Sequence, residues 1–362
     1  MRIVLFCRLI IWICLASVIL PAWGQDAENA PTGPMRALVL LNWSEYMDPE
    51  LITAFEAQHN VKVREVFFDS DTGRTEILRA TDARGFDVVL VSGADMANYI
   101  KYGWLRPITD KDVPNLKHSH PRWLEAYGGV ARGYGVPHLW GSTGILYRKD
   151  KVTEPITQWK QLFEPAPALK GKILMLNDPR ELIGNALKSL GYSYNSADPG
   201  ELRLAEQLLL QQKPYVATYA AALLEDSGFA AGKYWMGMAF NGDALTLKAA
   251  NPLLEFVIPE EGAGLWCDYL GVPTHATHPD LALAFIQFIN EPPHAAALAK
   301  FTRFATTNQR GEALLEADFL NNPMIYPSTA ILEKSEMVQP LAPRVGKQRT
   351  DIYTKVTRMT TR

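Results

Sequence analysis

Cysteine is scarce in this 362-residue chain, with three in all. Cys7 and Cys14 lie in the first 24 residues, where Arg2 and Arg8 flank or interrupt an apolar run through Leu20. Pro21–Ala22–Trp23–Gly24 closes that run with small residues at the spacing of a signal-peptidase site. The pattern predicts a cleaved secretory signal over residues 1–24, and Arg8 leaves its apolar core shorter than a membrane span needs. Cys14 lacks the preceding small residue of a lipoprotein signal, so lipidation is not expected. Without the signal, Cys267 stands alone, which excludes an intrachain disulfide. Secretion without a disulfide framework points to a bacterial periplasm.

Basic excess is also missing. Removing residues 1–24 takes away two arginines and no acids, leaving 34 basic against 39 acidic residues and a formal net charge of −5. That balance argues against nucleic acid as a partner and suits a cationic ligand. No Gly-rich phosphate loop, Gly-x-Ser-x-Gly elbow or Glu-x-x-His helix is present, so neither an enzyme nor a cofactor is expected. His118 and His120, like His275 and His278, have spacings that can hold a metal. They lie in Pro- or Thr-rich stretches with no third ligand nearby and read as surface loops. Cys267 has Trp266 and Asp268 beside it and no base, which makes it a buried thiol rather than a nucleophile. Repeats and low-complexity tracts are absent.

What is present is an ordinary globular composition, 48% hydrophobic and 21% charged, in a chain long enough to divide into two lobes. Residues 25–34 are polar and proline-bearing, a flexible leader. The run Ala37–Leu41 reads as a fully buried strand. Asp48 and Pro49 then open an amphipathic helix as N-cap and first helical residue. Between them lies Trp43–Ser44–Glu45–Tyr46. A loop of two rings and a carboxylate at the end of a buried strand suits an organic cation, with rings over its methylenes and an acid facing its charge.

The same unit recurs down the chain and gives an α/β fold class. A strand over Val61–Phe68 is followed by a helix over Thr75–Thr81. A strand from Gly85 to Val91 ends in a polar loop, Ser92–Gly93–Ala94–Asp95, before a helix over Met96–Tyr102. Extended segments follow over Gly135–Gly141 and Thr143–Tyr147, where the chain is expected to leave the first lobe. A helix over Ile156–Phe163 opens the second. Gly171–Leu176 is a strand ending in Asn177–Asp178–Pro179–Arg180–Glu181 ahead of a helix. Tyr215–Tyr219 is a further strand, and Tyr234–Phe240 another, ending at Asn241–Gly242–Asp243. Leu265–Trp266–Cys267–Asp268–Tyr269 reads as the second crossover, and the chain from Asn322 onward as irregular, then basic. The lobe limits expected are 35–145 with part of 266–312, and 146–265 with part of 313–362.

These strand-end loops resemble the polyamine-binding periplasmic proteins of the spermidine- and putrescine-binding type. Asn42–Trp43–Ser44–Glu45–Tyr46 looks like that family's N-W-S-[DE]-Y opening, and Phe86–Ser92 like its F-D-[VL]-V-x-[PV]-S strand. Trp140–Ile145 resembles W-[AG]-[ST]-T-G-I, and Asp178–Glu181 is similar to D-[AP]-R-E. Asn241–Asp243 resembles [NA]-G-[DS], Trp266–Asp268 resembles W-x-D, and Asn322–Pro327 resembles N-P-x-I-Y-P. The matches run in the family's order over residues 37 to about 330.

The resemblance implies a two-lobed, type II periplasmic-binding-protein fold with a ligand cleft between the lobes. By position, Trp43, Tyr46, Trp266 and Tyr326 would box a methylene chain, and Asp178, Glu181, Asp243 and Asp268 would take ammonium groups. Ser44 and Ser92 would exchange hydrogen bonds with the ligand, and Glu45 belongs to the same opening loop. Phe240 stands where the family usually has tryptophan, so ligand-length preference is expected to differ. Asp95 falls where an aromatic or serine is more common, and Thr306–Thr307–Asn308 departs from a usually asparagine-rich stretch. The implied partners are a polyamine and either an inner-membrane ABC permease or a membrane sensor receptor; another organic cation is an alternative ligand.

Bland roles compete at several of these positions. Asp178 also suits a helix cap, Glu181 a capping box, and Asp243 a plain turn. Asp268, between Trp266 and Tyr269, would be costly to bury without a partner. Arg180 is expected to make a structural ion pair with Asp178 and Glu181. Trp104, Trp140 and Trp159 read as core.

Overall fold

The computed structural model describes residues 36–223 and 226–358, so the signal segment 1–24 and the leader 25–34 fall outside the described residues. Among those described, no helix is long and apolar enough to cross a membrane.

The apolar runs become strands: β1 (Ala37–Trp43), β2 (Lys62–Phe68), β3 (Val88–Ser92), β4 (Gly135–Arg148), β5 (Ile173–Met175), β6 (Val216–Tyr219), β7 (Met236–Phe240), β8 (Leu254–Val257) and β9 (Gly264–Gly271), with two-residue strands β10 (Ala305–Thr306) and β11 (Glu336–Met337). Their spatial order is β2-β1-β3-β9-β4-β7-β5-β6, with β8 and β10 also pairing with β4 and β11 with β9. The two halves meet in β4. Its residues Gly135–Ser142 run antiparallel to β9, whereas Thr143–Tyr147 run antiparallel to β7. The two extended segments read from the sequence are therefore one 14-residue strand that leaves one half-sheet and enters the other.

Each half has its own core, as the amount of apolar side chain in a chain of this length requires. One gathers Leu38, Leu40, Leu41, Phe55, Val88–Val91 and Phe285. A second gathers Ile145, Trp159, Ile173, Leu182, Leu209 and Met238, and a third, on the other face of β4, Leu146, Phe229, Tyr234 and Phe256. Trp104, Trp140 and Trp159 are all buried, and so is Cys267.

Several boundaries differ from the sequence reading, each for a local reason. Ser70 accepts the Gly73 N–H at 3.0 Å and starts the second helix at Asp71 rather than Thr75. Gly93–Asp95 and Asn241–Asp243, read as loops, are the first turns of helices Gly93–Lys101 and Asn241–Ala250, which begin directly at the ends of β3 and β7. In the segment Ile156–Phe163 only Lys160–Phe163 is helical. The C-terminal stretch is not irregular throughout: Pro343–Thr357 is a helix opened by proline at its first position. Its residues Arg349, Ile352 and Val356, three and four apart, are buried, and the last two join the second core.

Candidate functional site

Parallel strands deliver their following residues to one edge of a sheet, and here those edges face each other across a cavity of about 120 Å³. From the first half come Trp43, Ser44, Glu45 and Tyr46 after β1, and Ser92 at the end of β3. From the second come Asp178 and Glu181 at the start of helix Pro179–Ser189, Phe240 at the end of β7, and Asp243 in the first turn after it. Trp266 and Asp268, on β9, line the same space. Eleven of the twelve residues expected to touch ligand thus surround one cavity.

Tyr326 is the exception. Its ring lies 5.9 Å from that of Trp140 and 6.3 Å from that of Phe319, and it does not line the cavity. Phe304 lines the cavity, its ring 5.6 Å from Tyr46 and 5.0 Å from Trp266, both edge to face. Phe240 continues the series at 5.9 Å from Trp266. Tyr46, Phe304, Trp266 and Phe240 therefore form a continuous aromatic wall from one half to the other. The rings of Trp43 and Phe68 pack against each other, tilted, at 4.4 Å on the first half's side. Gly141 makes room for the wall, because a Cβ there would sit 2.5 Å from the Trp266 ring and 2.4 Å from Asn241 Oδ1. Asn241 Oδ1 accepts the Ser142 N–H at 3.1 Å, and its amide donates to the Met324 carbonyl at 2.9 Å, which fixes the start of the helix that carries Asp243.

The acids are held in low dielectric. Burial pushes Asp268 up to about 7, with the Asp71 charge adding to the effect. The Tyr46 hydroxyl donates to its Oδ2 at 3.1 Å. Burial alone raises Asp243 to about 7. Glu181 rises to about 8 through burial and then the neighbouring Asp178 charge, and it accepts the Asn185 amide at 3.3 Å. Asp178 is raised to about 6 by burial and by Asp71. It also caps its helix, accepting the N–H groups of Arg180 at 2.7 Å and Glu181 at 3.0 Å. Asp178 thus caps its helix with one oxygen and also lines the cavity.

None of these four acids has an ion-pair partner among the described residues. The nearby guanidiniums go elsewhere, Arg180 to Asp71 and Asp95 and Arg74 to the same two. The expected pairing of Arg180 with Asp178 and Glu181 is therefore replaced by one reaching the opposite half. Burial would raise Asp95, but the Arg180 and Arg74 charges outweigh it and hold the carboxyl below its ordinary range. Glu45 sits in the left-handed backbone region at φ 57°, a conformation a non-glycine side chain adopts at some cost, in the turn that aims Tyr46 inward.

Sequence reasoning missed Phe68, Asp71, Phe304 and Arg180 as cavity residues. Phe68 was within reach, since β1 and β2 pair in parallel with Trp43 opposite Phe68, so the same strand-end rule applies to both. No group of three or more metal-ligating side chains, the four histidines His118, His120, His275 and His278 included, is found among the described residues.

Residues 50–324 match the family model described as bacterial extracellular solute-binding protein. The chain is similar to the putrescine-binding periplasmic protein SpuD of Pseudomonas aeruginosa, 29% identical over 92% of this chain and 95% of that one. It is equally similar, at 29% over 87% of this chain and 89% of the relative, to the spermidine/putrescine-binding periplasmic protein of Salmonella typhimurium. Among solved structures, a proposed spermidine/putrescine ABC transporter from Listeria monocytogenes superposes with a TM-score of 0.83 at 28% identity, covering 89% of this chain and 99% of that one. The two-lobed fold is common to them.

Proposed function

The chain belongs to the bacterial extracellular solute-binding protein family, and from that premise we propose that it captures a linear polyamine of the putrescine or spermidine class in the periplasm and presents it to an ABC permease of the inner membrane. One observation carries the reading: four carboxylates, Glu181 and Asp268 buried and Asp178 and Asp243 partly so, stand without ion-pair partners among the described residues along a wall of four aromatic rings. A polyamine has ammonium groups separated by methylenes, and its complement is an alternation of carboxylates and ring faces. Each charge-assisted hydrogen bond contributes about 1.5–3 kcal/mol and each desolvated cation–π contact roughly 2 kcal/mol. The names of the relatives agree with this ligand class.

Ligand contacts drawn from both halves stabilise the closed arrangement over an open one, so binding and lobe closure are one equilibrium. The bodies that move are, in this reading, the lobes 35–145 with part of 266–312 and 146–265 with part of 313–362. The protein binds and releases its cargo without turning it over. A thermal-shift panel of di-, tri- and tetra-amines on the protein lacking residues 1–24 tests the proposal. A rise in melting temperature with micromolar amine is expected by linkage. A folded protein that shows no shift with any member of the panel refutes it.

A further inference from the structure

Asp95 does not line the aromatic cavity, yet it ties the two lobes together beside it. Its Oδ1 accepts from Nη2 of Arg180 at 2.9 Å, and Asp71 Oδ2 accepts from Nη1 of the same guanidinium at 3.0 Å. Asp71 and Asp95 belong to helices Asp71–Thr81 and Gly93–Lys101 of the first lobe, whereas Arg180 is the second residue of helix Pro179–Ser189 in the other. The two acids are held without its help. Arg74, fully buried, lies 2.7 Å from Asp71 Oδ1 and donates to Asp95 Oδ2 at 2.7 Å. Its Nε donates to the Tyr99 hydroxyl at 3.1 Å, and that hydroxyl is 2.7 Å from Thr75 Oγ1. All of these groups are on the first lobe. Two carboxylates and one guanidinium leave that lobe a single net negative charge, which Arg180 balances from across the gap.

The place of these groups decides what they do. Asp71 and Arg180 line both the aromatic cavity and a second cavity of about 320 Å³, whereas Asp95 lines the second alone. Asp95 therefore acts between the lobes without touching a ligand on the aromatic wall. The side chains of Arg180, Asp71 and Asp95 keep 17, 22 and 11% of their exposure, so salt and water reach the contact. Opening the lobes returns these three charges to water and strands none of them, so the contact biases the lobes toward closure and does not lock them. Arg180 comes with the helix-start segment that resembles the family's, but Asp95 stands where this chain departs from that pattern.

We propose that Asp95 is an affinity-determining residue that never meets the ligand: it anchors an interlobe clasp, Asp71–Arg180–Asp95, which favours the closed form of the free protein and slows release from the loaded one. The proposal takes from the reading above the hinge motion of two lobes and not the identity of the ligand. The clasp is the same in the free and the loaded closed forms. Its loss therefore shows as opening of the free protein and as faster dissociation, with association unhindered because ligand enters the open form.

Small-angle X-ray scattering on the protein lacking residues 1–24, refolded from denaturant to remove any bound amine, tests the clasp in the wild type, Asp95→Asn and Arg180→Gln. Arg180→Gln leaves Arg74 with both its acids, so the buried cluster of the first lobe stays whole in that variant. At 20 mM NaCl the wild type is expected to have a smaller radius of gyration than either variant, and at 0.5 M NaCl to expand toward them. Stopped-flow tryptophan fluorescence with putrescine, reading a cavity that holds Trp43 and Trp266, gives the kinetic arm. Release from Asp95→Asn should be at least threefold faster than from the wild type at 20 mM NaCl with association no slower, and the two rates should converge at 0.5 M NaCl. Equal radii for the three free proteins at 20 mM NaCl, or a folded Asp95→Asn that releases putrescine at the wild-type rate, would each overturn the clasp. The scattering comparison needs no ligand, so a folded wild type that binds no amine of the thermal-shift panel overturns the polyamine reading and not the clasp.

Discussion

The Tyr46 hydroxyl donates a 3.1 Å hydrogen bond to Oδ2 of Asp268, joining the loop after the first strand to a strand 222 residues later. Asp268→Asn keeps an acceptor for that hydroxyl and removes only the charge. Binding of a diamine should weaken by more than tenfold, about 1.4 kcal/mol or more, with the circular-dichroism spectrum unchanged. Tyr46→Phe keeps the ring and loses the hydrogen bond, so a smaller loss of a few fold is expected. Equal losses for the two substitutions would mean that the hydroxyl, not the carboxylate, holds the cation.

Affinity should depend on pH between about 5 and 8, and the sign follows from the acids. Asp178, Asp243, Asp268 and Glu181 are raised to about 6, 7, 7 and 8, against roughly 4 in an unfolded chain. The free folded protein therefore holds extra protons in that window, and the stability these four groups contribute is lost as pH rises through their folded values. A polyamine needs the ionised forms, so its binding releases protons and strengthens as pH climbs toward 8. Titrations in buffers of different ionisation enthalpy should show net proton release at pH 6.5. The melting-temperature gap between loaded and free protein should widen from pH 5.5 to pH 8. Proton uptake would contradict the assignment of these acids to the ligand.

Two rings separate contact from packing. Phe304 stands in the aromatic wall between Tyr46 and Trp266, whereas Tyr326 packs on Trp140 and Phe319 outside the cavity. Phe304→Ala should reduce affinity tenfold or more. Tyr326→Ala should lower the melting temperature and leave affinity within threefold of wild type. Calorimetric titration of both variants decides between this placement and the one the sequence suggested.

Gly141 has no left-handed backbone angle to explain it; what it provides is space beneath Trp266 and Asn241. Gly141→Ala should weaken both binding and thermal stability, because relieving the 2.4–2.5 Å contacts displaces a wall ring and the residue that fixes the start of the Asp243 helix. A variant that binds and melts like wild type would show that the wall tolerates movement.

The readable part of the site was the part written locally. Trp43 to Tyr46, Asp178 to Glu181 and Trp266 to Asp268 each place polar and aromatic residues directly after or within a buried strand, and strand polarity alone brings such segments together. Phe304 carried no such signal. It follows Arg303, which ends a helix in the left-handed region at φ 58°, and only the packing of that turn aims its ring at Trp266. The Pro-flanked Tyr326 looked like a loop ring on offer, but the turn held by the Asn322 side chain, which accepts the Met324 N–H at 3.0 Å, belongs to a segment that packs over Trp140. Arg180 was correctly read as ionically paired and given the wrong acids, because its partners lie 85 and 109 residues away and proximity in sequence says nothing of such contacts. The helix Pro343–Thr357 was lost among charges: three buried positions in fifteen leave a faint apolar stripe.

The strand lying between β3 and β4 is β9, made of Gly264–Gly271. The half that holds β1 to β3 is therefore not a continuous stretch of polypeptide, and neither is the other, whose core takes in Ile352 and Val356 of the helix Pro343–Thr357. As the chain is synthesised, β3 and β4 have no common neighbour until the whole intervening lobe has been made, so the N-terminal half cannot complete its sheet early. Both halves must finish maturing together and late, and a nascent chain truncated anywhere before Gly264 should expose the edges of β3 and β4 to chaperones and proteases.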